Sequence, residues 1–499
     1  MLPLDQKGSA KPGSNHKRFV PLRRQYRRVR IRMDGRLLHC LMVSLLLIII
    51  AVSIFQASGM IGAITAPPAE VLSSYKTSSL FILYLLRLMT LMPLPLTLFN
   101  FAGIVSFNTF PRKPKLRGST LFGPFICFRV VTKGLFPKLV RNNVTKNLEV
   151  CSQLGFDNFV FEVVTDEAVQ LPKLPRVREL IVPNEYRSSK GTLYKARALN
   201  YCLEEGINYL NDNDWIVHLD EETLLTESSL VGIINFINEG KHDFGQGVIT
   251  YADGEIVNWL TTLSDVVRVG MDYGMLRFCL KFLHKPVFSW KGSFIVSNAG
   301  VERKITYDFG PDGSIAEDCF FAMSAWRDGH TFGFVEGDMH EKSTFSLVDY
   351  IKQRKRWVQG ILLVLFSRVL PWRCKMGLSV MILSWLTLPF TVPNIILVVL
   401  FPLPMPAIVN ALCGFIGGTV VFLFIFGAIK SFSLRNMGRC QYILLCLAPI
   451  LVAPLAMIME SISVIWAIFG HQNHVFDVVN KECNSTAKDL ESADPVETV

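Results

Sequence analysis

The 499-residue chain is 50% hydrophobic, carries a net charge of +10 and has a mean hydropathy of +0.35. That is too apolar for a soluble protein of this size, and the apolar residues gather at both ends around a polar middle from about Pro111 to Lys375. Eleven cysteines with no CxxC pair and no regular spacing exclude a zinc-ribbon or disulfide framework and fit free thiols in a reducing compartment.

Between Lys17 and Arg36 lie nine Lys or Arg and a single acid, Asp34. Such a run can bind nucleic acid. Placed directly before an apolar stretch, it instead orients the chain by the positive-inside rule and touches anionic lipid headgroups. Residues 1–36 therefore read as a basic cytosolic segment, with membrane lipids and no nucleic acid as partners. Residues 37–110 hold two spans, Leu37–Ile61 and Ser79–Phe107, each long enough for the roughly 20 apolar residues that a bilayer requires. The first outruns the apolar region of a cleaved signal peptide, which is roughly 7–15 residues. Two crossings return the polar domain, residues 111–375, to the cytosol.

In that domain FICFRVV (Phe125–Val131), Asn158–Asp166, Glu179–Pro183 and Asp214–Thr223 read as strands. Helical stretches at about Phe136–Leu154 and Leu193–Leu210 alternate with them. The alternation indicates βαβ units and a parallel sheet covered on both faces, an α/β fold.

Open α/β sheets bind ligands beyond the carboxyl ends of their strands. Asp166 ends the second strand there, and Asp220, Glu221 and Glu222 end the fourth. Three adjacent carboxylates repel one another, and a divalent ion relieves the repulsion. Mg²⁺ or Mn²⁺ takes one or two protein carboxylates with phosphate and water oxygens, so Asp220 and Glu222, at i and i+2, can share one ion. A solvated acidic turn is the other reading of the cluster. Lys195 and Arg197 can meet a diphosphate or be surface cations.

Further on, IAEDCFFAMSAW (Ile315–Trp326) has helical spacing, which puts Glu317 and Asp318 in a first turn, where the macrodipole stabilises carboxylates. Either they cap the helix or Asp318 takes the proton of an attacking hydroxyl. The stretch SWKGSFIVSNAG (Ser289–Gly300), with Trp290 and Gly292, reads as a loop and strand suited to an acceptor-binding wall or to core packing. A helix opens near Ser346, where Ser346 and Asp349 resemble a capping box. On it Gln353, Arg356 and Trp357, at i, i+3 and i+4, share one face. Arginine suits phosphate and indole offers a stacking plane, while a membrane-interface helix would use the same residues.

Three spans follow in 376–470, at Met376–Pro402, Ile408–Ile429 and Gln441–Gly470, with prolines that membrane helices tolerate. A polar tail occupies 471–499. Of two sequons, Asn143-Val144-Thr145 faces the cytosol; Asn484-Ser485-Thr486 is lumenal if the last span crosses once and cytosolic if it is a re-entrant pair.

Taken in order, Asp166, Asp220–Glu222, Glu317-Asp318 and Gln353-x-x-Arg356-Trp357 resemble the motif set of membrane-bound family 2 inverting glycosyltransferases, spread over about 190 residues. Glu222 replaces the second Asp of the usual DxD motif, and Ala316 stands where Thr is common. The segments DWIVHLDEETLLTE, FGQG-x-ITYA, HKP-x-FSWKGS, AEDCFFAM, KQRKRW and IKSFSL are similar to Egghead-type β-1,4-mannosyltransferases of invertebrates. The resemblance covers roughly Leu37 to Lys481. It implies a cytosolic GT-A (Rossmann-like) domain flanked by about two spans before and three after, in a Golgi or endoplasmic reticulum membrane. It further implies GDP-mannose as donor, glucosylceramide as acceptor, mannosyl-β-1,4-glucosylceramide as product, and a divalent metal, Mn or Mg, as cofactor. By the same resemblance Asp318 is the catalytic base. The resemblance also implies that Asp166, Asp220, Glu222, Gln353, Arg356 and Trp357 bind the donor, with Asp220 and Glu222 on the metal, and the residues themselves add Lys195 as a candidate for the diphosphate. Trp290, Gly292, Glu317 and Trp357 are the candidates for binding the acceptor. A processive polysaccharide synthase would share these motifs. A transporter would place ionisable residues in its spans, where only Arg87 and Glu460 stand out.

Overall fold

The computed structural model describes residues 34–58, 73, 75–118, 123–251, 256–434, 437–470 and 481. Most of the basic segment, the sequon at Asn484 and the rest of the polar tail lie outside the described residues.

Four helices are long and apolar enough to cross a membrane: Gly35–Ala57, Thr77–Ser106, Ala407–Ser431 and Arg439–Phe469. A helix suits lipid because it satisfies every backbone polar group within itself. The expected span Met376–Pro402 is different. It forms two helices, Trp372–Leu386 and Leu388–Leu400, bent by 41° at their junction. Pro389 and Pro393 have no amide to donate, and they break the ladder there. The last segment is one continuous helix despite Pro449 and Pro454. The interruption thus falls in the bent pair, as a broken span or a re-entrant loop, and not in the last segment.

The polar domain is built on a seven-stranded sheet: β1 (Ile126–Thr132), β2 (Phe159–Thr165), β3 (Val177–Ile181), β4 (Trp215–Leu219), β5 (Phe244–Thr250), β6 (Ile295–Asn298) and β7 (Phe332–His340). Their order is β3-β2-β1-β4-β6-β5-β7. The four expected strands form the parallel half, paired in register, with Val130 opposite both Val163 and Leu219. The other half corrects the expectation of an all-parallel sheet: β6 runs antiparallel to β4 and to β5. An antiparallel neighbour is entered from the end at which its partner left. The helical excursion Trp259–Leu283 between β5 and β6 therefore returns to the end from which it departed. This excursion packs on the membrane helix Ala407–Ser431, where a Cβ on Gly270 would stand 2.6 Å from the Leu423 carbonyl. Small residues permit that backbone approach.

Under the sheet the buried Arg129 guanidinium binds Glu162 at 2.8 Å and Glu302 at 3.4 Å, and Glu302 takes His218 at 2.8 Å. Buried charges persist only when paired in this way, and removal of one partner is costly. The network fastens β1, β2 and β4 to helix Ala299–Ile305 and fixes the parallel strand ends that carry the site. Asn143 is buried in helix Pro137–Gln153, its Nδ2 donating to the Glu221 carbonyl at 2.9 Å, so the first sequon is a structural element.

Candidate active site

Asp166 follows β2 and Asp220 follows β4, at the carboxyl edge of the parallel half. One short helix, Tyr194–Tyr201, supplies a cation to each: Arg197 Nη2 lies 2.5 Å from Asp166 Oδ1, and Lys195 Nζ lies 2.5 Å from Asp220 Oδ1. Lys195 also donates to the Gly292 carbonyl at 3.2 Å and stands 3.9 Å from Glu317. Burial alone would lower the lysine pKa, but the Asp220 and Glu317 carboxylates outweigh it and the pKa is raised. For Asp220 burial works upward, and Lys195, Lys481 and Arg356 together bring the pKa below its usual value.

The acidic triplet divides. All three line the cleft, but Glu221 is committed to the Thr132 hydroxyl, which it accepts. Lys481, from the tail, pairs with Glu222 and lies 2.9 Å from Glu221. A second strand end contributes Glu341, just past β7, which accepts the Thr223 hydroxyl at 2.6 Å. Burial and the nearby Glu222 and Asp220 push its pKa up to about 7. Among the described residues no three acidic, histidine or cysteine side chains form a ready-made metal cage. Two carboxylates, each already carrying an ammonium group, still match an ion that completes its shell with phosphate and water.

Glu317 and Asp318 open helix Glu317–Arg327 as expected. Asp318 Oδ1 accepts the Cys319 amide at 2.7 Å. Oδ2 faces Gly292, where a Cβ would come within 3.1 Å of it. Burial raises both acids, Glu317 to about 7 with help from Asp318. Arg356 sits in the field of Glu317, Asp220, Asp318 and Glu222, yet burial holds its pKa below the usual value.

Ser346 caps helix Leu347–Phe366 by accepting the Asp349 amide at 3.1 Å. Gln353, Arg356 and Trp357 on this helix all face the cleft. The Trp357 ring already carries two guanidinium groups, Arg354 at 4.2 Å and Arg268 at 4.6 Å from its centroid. The plane that the sequence offers for sugar or lipid stacking is thus shared with cations. Trp290 is both wall and core: it lines the cleft and packs edge-on to Phe332 at 4.9 Å.

The acids, Lys195, Lys481, Trp290 and the Gln353, Arg356 and Trp357 face line one cavity of about 1320 Å³ that continues between the apolar helices, past Leu388, Val398, Ile416 and Phe424. Sequence reasoning missed Glu341, Arg268 and Lys481. Glu341 obeys the same strand-end rule as Asp220 and was findable once β7 was recognised. No local signal marks Lys481, since its partners are distant in sequence.

Residues 215–459 match the family model described as glycosyl transferase family group 2. The chain is 49% identical over 446 residues to "Beta-1,4-mannosyltransferase egh" of Drosophila melanogaster, covering 89% of this chain and 97% of that protein. It is 48% identical to "Beta-1,4-mannosyltransferase bre-3" of Caenorhabditis elegans, covering 83% and 91%. Among solved structures, a mannosyltransferase from Pyrobaculum calidifontis in complex with GDP-Man and Mn²⁺ aligns with a TM-score of 0.43 at 13% identity, covering 77% of this chain and 100% of that one.

Proposed function

The chain belongs to the β-1,4-mannosyltransferases of glycosyl transferase family group 2, and on that premise we propose that it moves mannose from GDP-mannose to glucosylceramide, forming mannosyl-β-1,4-glucosylceramide. The observation that carries this reading is the single cavity that joins Asp318, the donor-side acids and the space between apolar helices. A soluble donor and a lipid acceptor can meet there at the membrane surface.

In the proposed reaction Asp318 Oδ2 accepts the proton of the acceptor hydroxyl while that oxygen attacks the anomeric carbon. The bond from that carbon to the diphosphate oxygen breaks, GDP leaves, and the configuration inverts. The Cys319 amide keeps Oδ1 occupied, so the reactive oxygen is the one beside Gly292. Asp166 meets the nucleoside, and Lys195 and Arg356 place positive charge along the diphosphate. Gln353 and Trp357 border the donor, and Trp290, Gly292 and Glu317 border the acceptor. Asp220 and Glu222 would hold Mn²⁺ or Mg²⁺, which supplies Lewis-acid neutralisation of the leaving diphosphate.

We place the protein in a Golgi or endoplasmic reticulum membrane with this domain in the cytosol. Lys481 beside Glu222 supports an even number of crossings between the catalytic domain and the tail, with the bent pair entering the bilayer and turning back. The test is transfer by purified protein with Mn²⁺, Mg²⁺ or EDTA, pairing GDP-mannose and UDP-glucose with glucosylceramide and ceramide and weighing the lipid products. Metal-dependent addition of one hexose from GDP-mannose to glucosylceramide is expected. Transfer only from UDP-glucose, or only to ceramide, would overturn the donor or acceptor named here.

A further inference from the structure

Gln246 and Tyr251 are 0% and 5% exposed and line the same cavity as Asp318, yet the reaction above gives them no task. Gln246 stands on β5 and donates Nε2 to the Lys291 carbonyl at 3.1 Å, one residue from the glycine that abuts the base. Among the described residues its Oε1 has no hydrogen-bond partner, and neither has the Tyr251 hydroxyl. Buried polar groups are nearly always partnered, because an unmade bond leaves the full desolvation cost in place. Of the unpartnered oxygens on residues of this lining, which include Thr344 Oγ1 and Asn394 Oδ1, these two sit on and just past β5, and they point to a ligand that fills them.

The surroundings narrow its chemistry. Lys291 pairs with Asp272 beside them, and Arg268 lies 5.0 Å over the Tyr251 ring and 4.6 Å over the Trp357 ring. The Lys291–Asp272 pair neutralises itself, so it offers no net charge for a phosphate. Gln246 Oε1 can only accept, and the Tyr251 hydroxyl can donate or accept. A ligand hydroxyl serves both. Several hydroxyls on a rigid ring, next to the base and above an apolar channel, describe the sugar of a glycolipid.

We propose that Gln246 and Tyr251 recognise the ring hydroxyls of the acceptor hexose, beside the hydroxyl that Asp318 deprotonates. This rests on the reading of the chain as a transferase with a glycolipid acceptor. Gln246 Oε1 accepts from one hydroxyl, and the Tyr251 hydroxyl bonds a second. A site built to bond a substrate hydroxyl discriminates strongly against the analogue lacking it.

The experiment uses full-length protein in lipid nanodiscs, with GDP-mannose, glucosylceramide and its monodeoxy-glucosyl analogues. Tyr251→Phe removes an oxygen that has no partner in the free protein, so a merely structural role predicts no loss. The acceptor KM should rise about five- to twentyfold, the worth of one neutral hydrogen bond or a little more. Donor Kd by calorimetry should stay constant, and the thermal midpoint should stay constant or rise. One deoxy analogue should be a poorer acceptor for the wild type and no worse than the parent lipid for Tyr251→Phe. Gln246→Met also removes the hydrogen bond to the Lys291 carbonyl, so its thermal midpoint should fall, while its acceptor KM should rise and its insensitivity should fall on a different deoxy analogue. An unmoved acceptor KM in both variants, or equal sensitivity of wild type and variants to every deoxy analogue, overturns the assignment. If the wild type transfers no hexose to any of these lipids, the functional reading falls and this proposal with it. Wild-type transfer with unmoved variants defeats this proposal alone.

Discussion

Gly292 and Asp318 meet across the cleft: a Cβ placed on Gly292 would stand 3.1 Å from Asp318 Oδ2 and 3.3 Å from Lys195 Nζ. The loop before β6 and the first turn of helix Glu317–Arg327 thus share a boundary with room for a hydrogen and no more. Both neighbours are the far ends of side chains, which can shift without disturbing the backbone. Gly292→Ala should leave the thermal midpoint nearly unchanged and lower kcat about ten- to a hundredfold, since small misplacements of reacting groups carry large rate penalties. Steady-state kinetics beside a thermal melt checks this, and an unchanged kcat would show that the base has more room than the geometry allows.

Asp318→Asn keeps the shape and the hydrogen bond from Cys319 but removes the proton acceptor. Turnover should fall about 10²–10⁴-fold, the range typical of general-base catalysis. The Kd for GDP-mannose, by calorimetry, should stay within about threefold on this basis, because the group acts on the acceptor.

The pH dependence has two parts of definite sign. Burial raises the Asp318 pKa and Lys195 partly restrains it. Asp318 must be ionised to act, so kcat/KM should climb through an acid limb that lies above the ordinary Asp value of about 3.9. Lys195→Met should move that limb to higher pH. Stability runs the other way. Glu317 and Glu341, raised from 4.5 to about 7, keep protons in the folded chain that the unfolded chain has already lost. Their contribution is complete below about pH 4.5 and disappears as pH rises through about 7. Melting curves of the metal-free protein should show the midpoint falling across that window, and Glu341→Gln should flatten the slope.

Lys481 occupies Glu222, one of the two carboxylates assigned to the metal. Lys481→Ala should therefore reduce the Mn²⁺ concentration for half-maximal activity, by about three- to tenfold if the pair is worth around 1 kcal/mol, the upper end for a partly exposed pair. A rise in that concentration would mean that the lysine supports the ion. EDTA should abolish transfer by either protein.

Arg354 ties the cleft helix to the last membrane helix by pairing with Asp265 and, at 2.9 Å, with Glu460. Glu460 also receives the Trp385 indole at 2.9 Å and the Tyr350 hydroxyl at 3.0 Å. Arg354→Ala would leave the buried Asp265 carboxylate only Arg268, at 3.4 Å, and the Ser343 hydroxyl, and should destabilise the protein by about 3 kcal/mol, the low end for loss of one partner of a buried pair. The double variant Arg354→Leu, Asp265→Leu should recover only part of that loss in the same melt, because Glu460 and Arg268 each lose a charge partner.

The sequence alone determined the apolar flanking helices, the four parallel strands and the places of the motif residues on them, because those signals are local. Apolar length marks Gly35–Ala57, β-branched runs mark β1 and β2, and a strand followed by acids marks Asp220. Helical spacing likewise put Gln353, Arg356 and Trp357 on one face. Tertiary structure decided what depends on partners distant in the chain. The antiparallel β6 follows from the excursion Trp259–Leu283 seating on a membrane helix, and no four-residue strand announces its direction. The bend at Leu388 is a choice among several proline-bearing segments, of which Arg439–Phe469 stays continuous. Lys195 on Asp220, Lys481 on Glu222 and Arg354 on Glu460 join residues 25, 259 and 106 positions apart. Electrostatic pairing depends on distance in space, so only the folded chain could assign those carboxylates their partners.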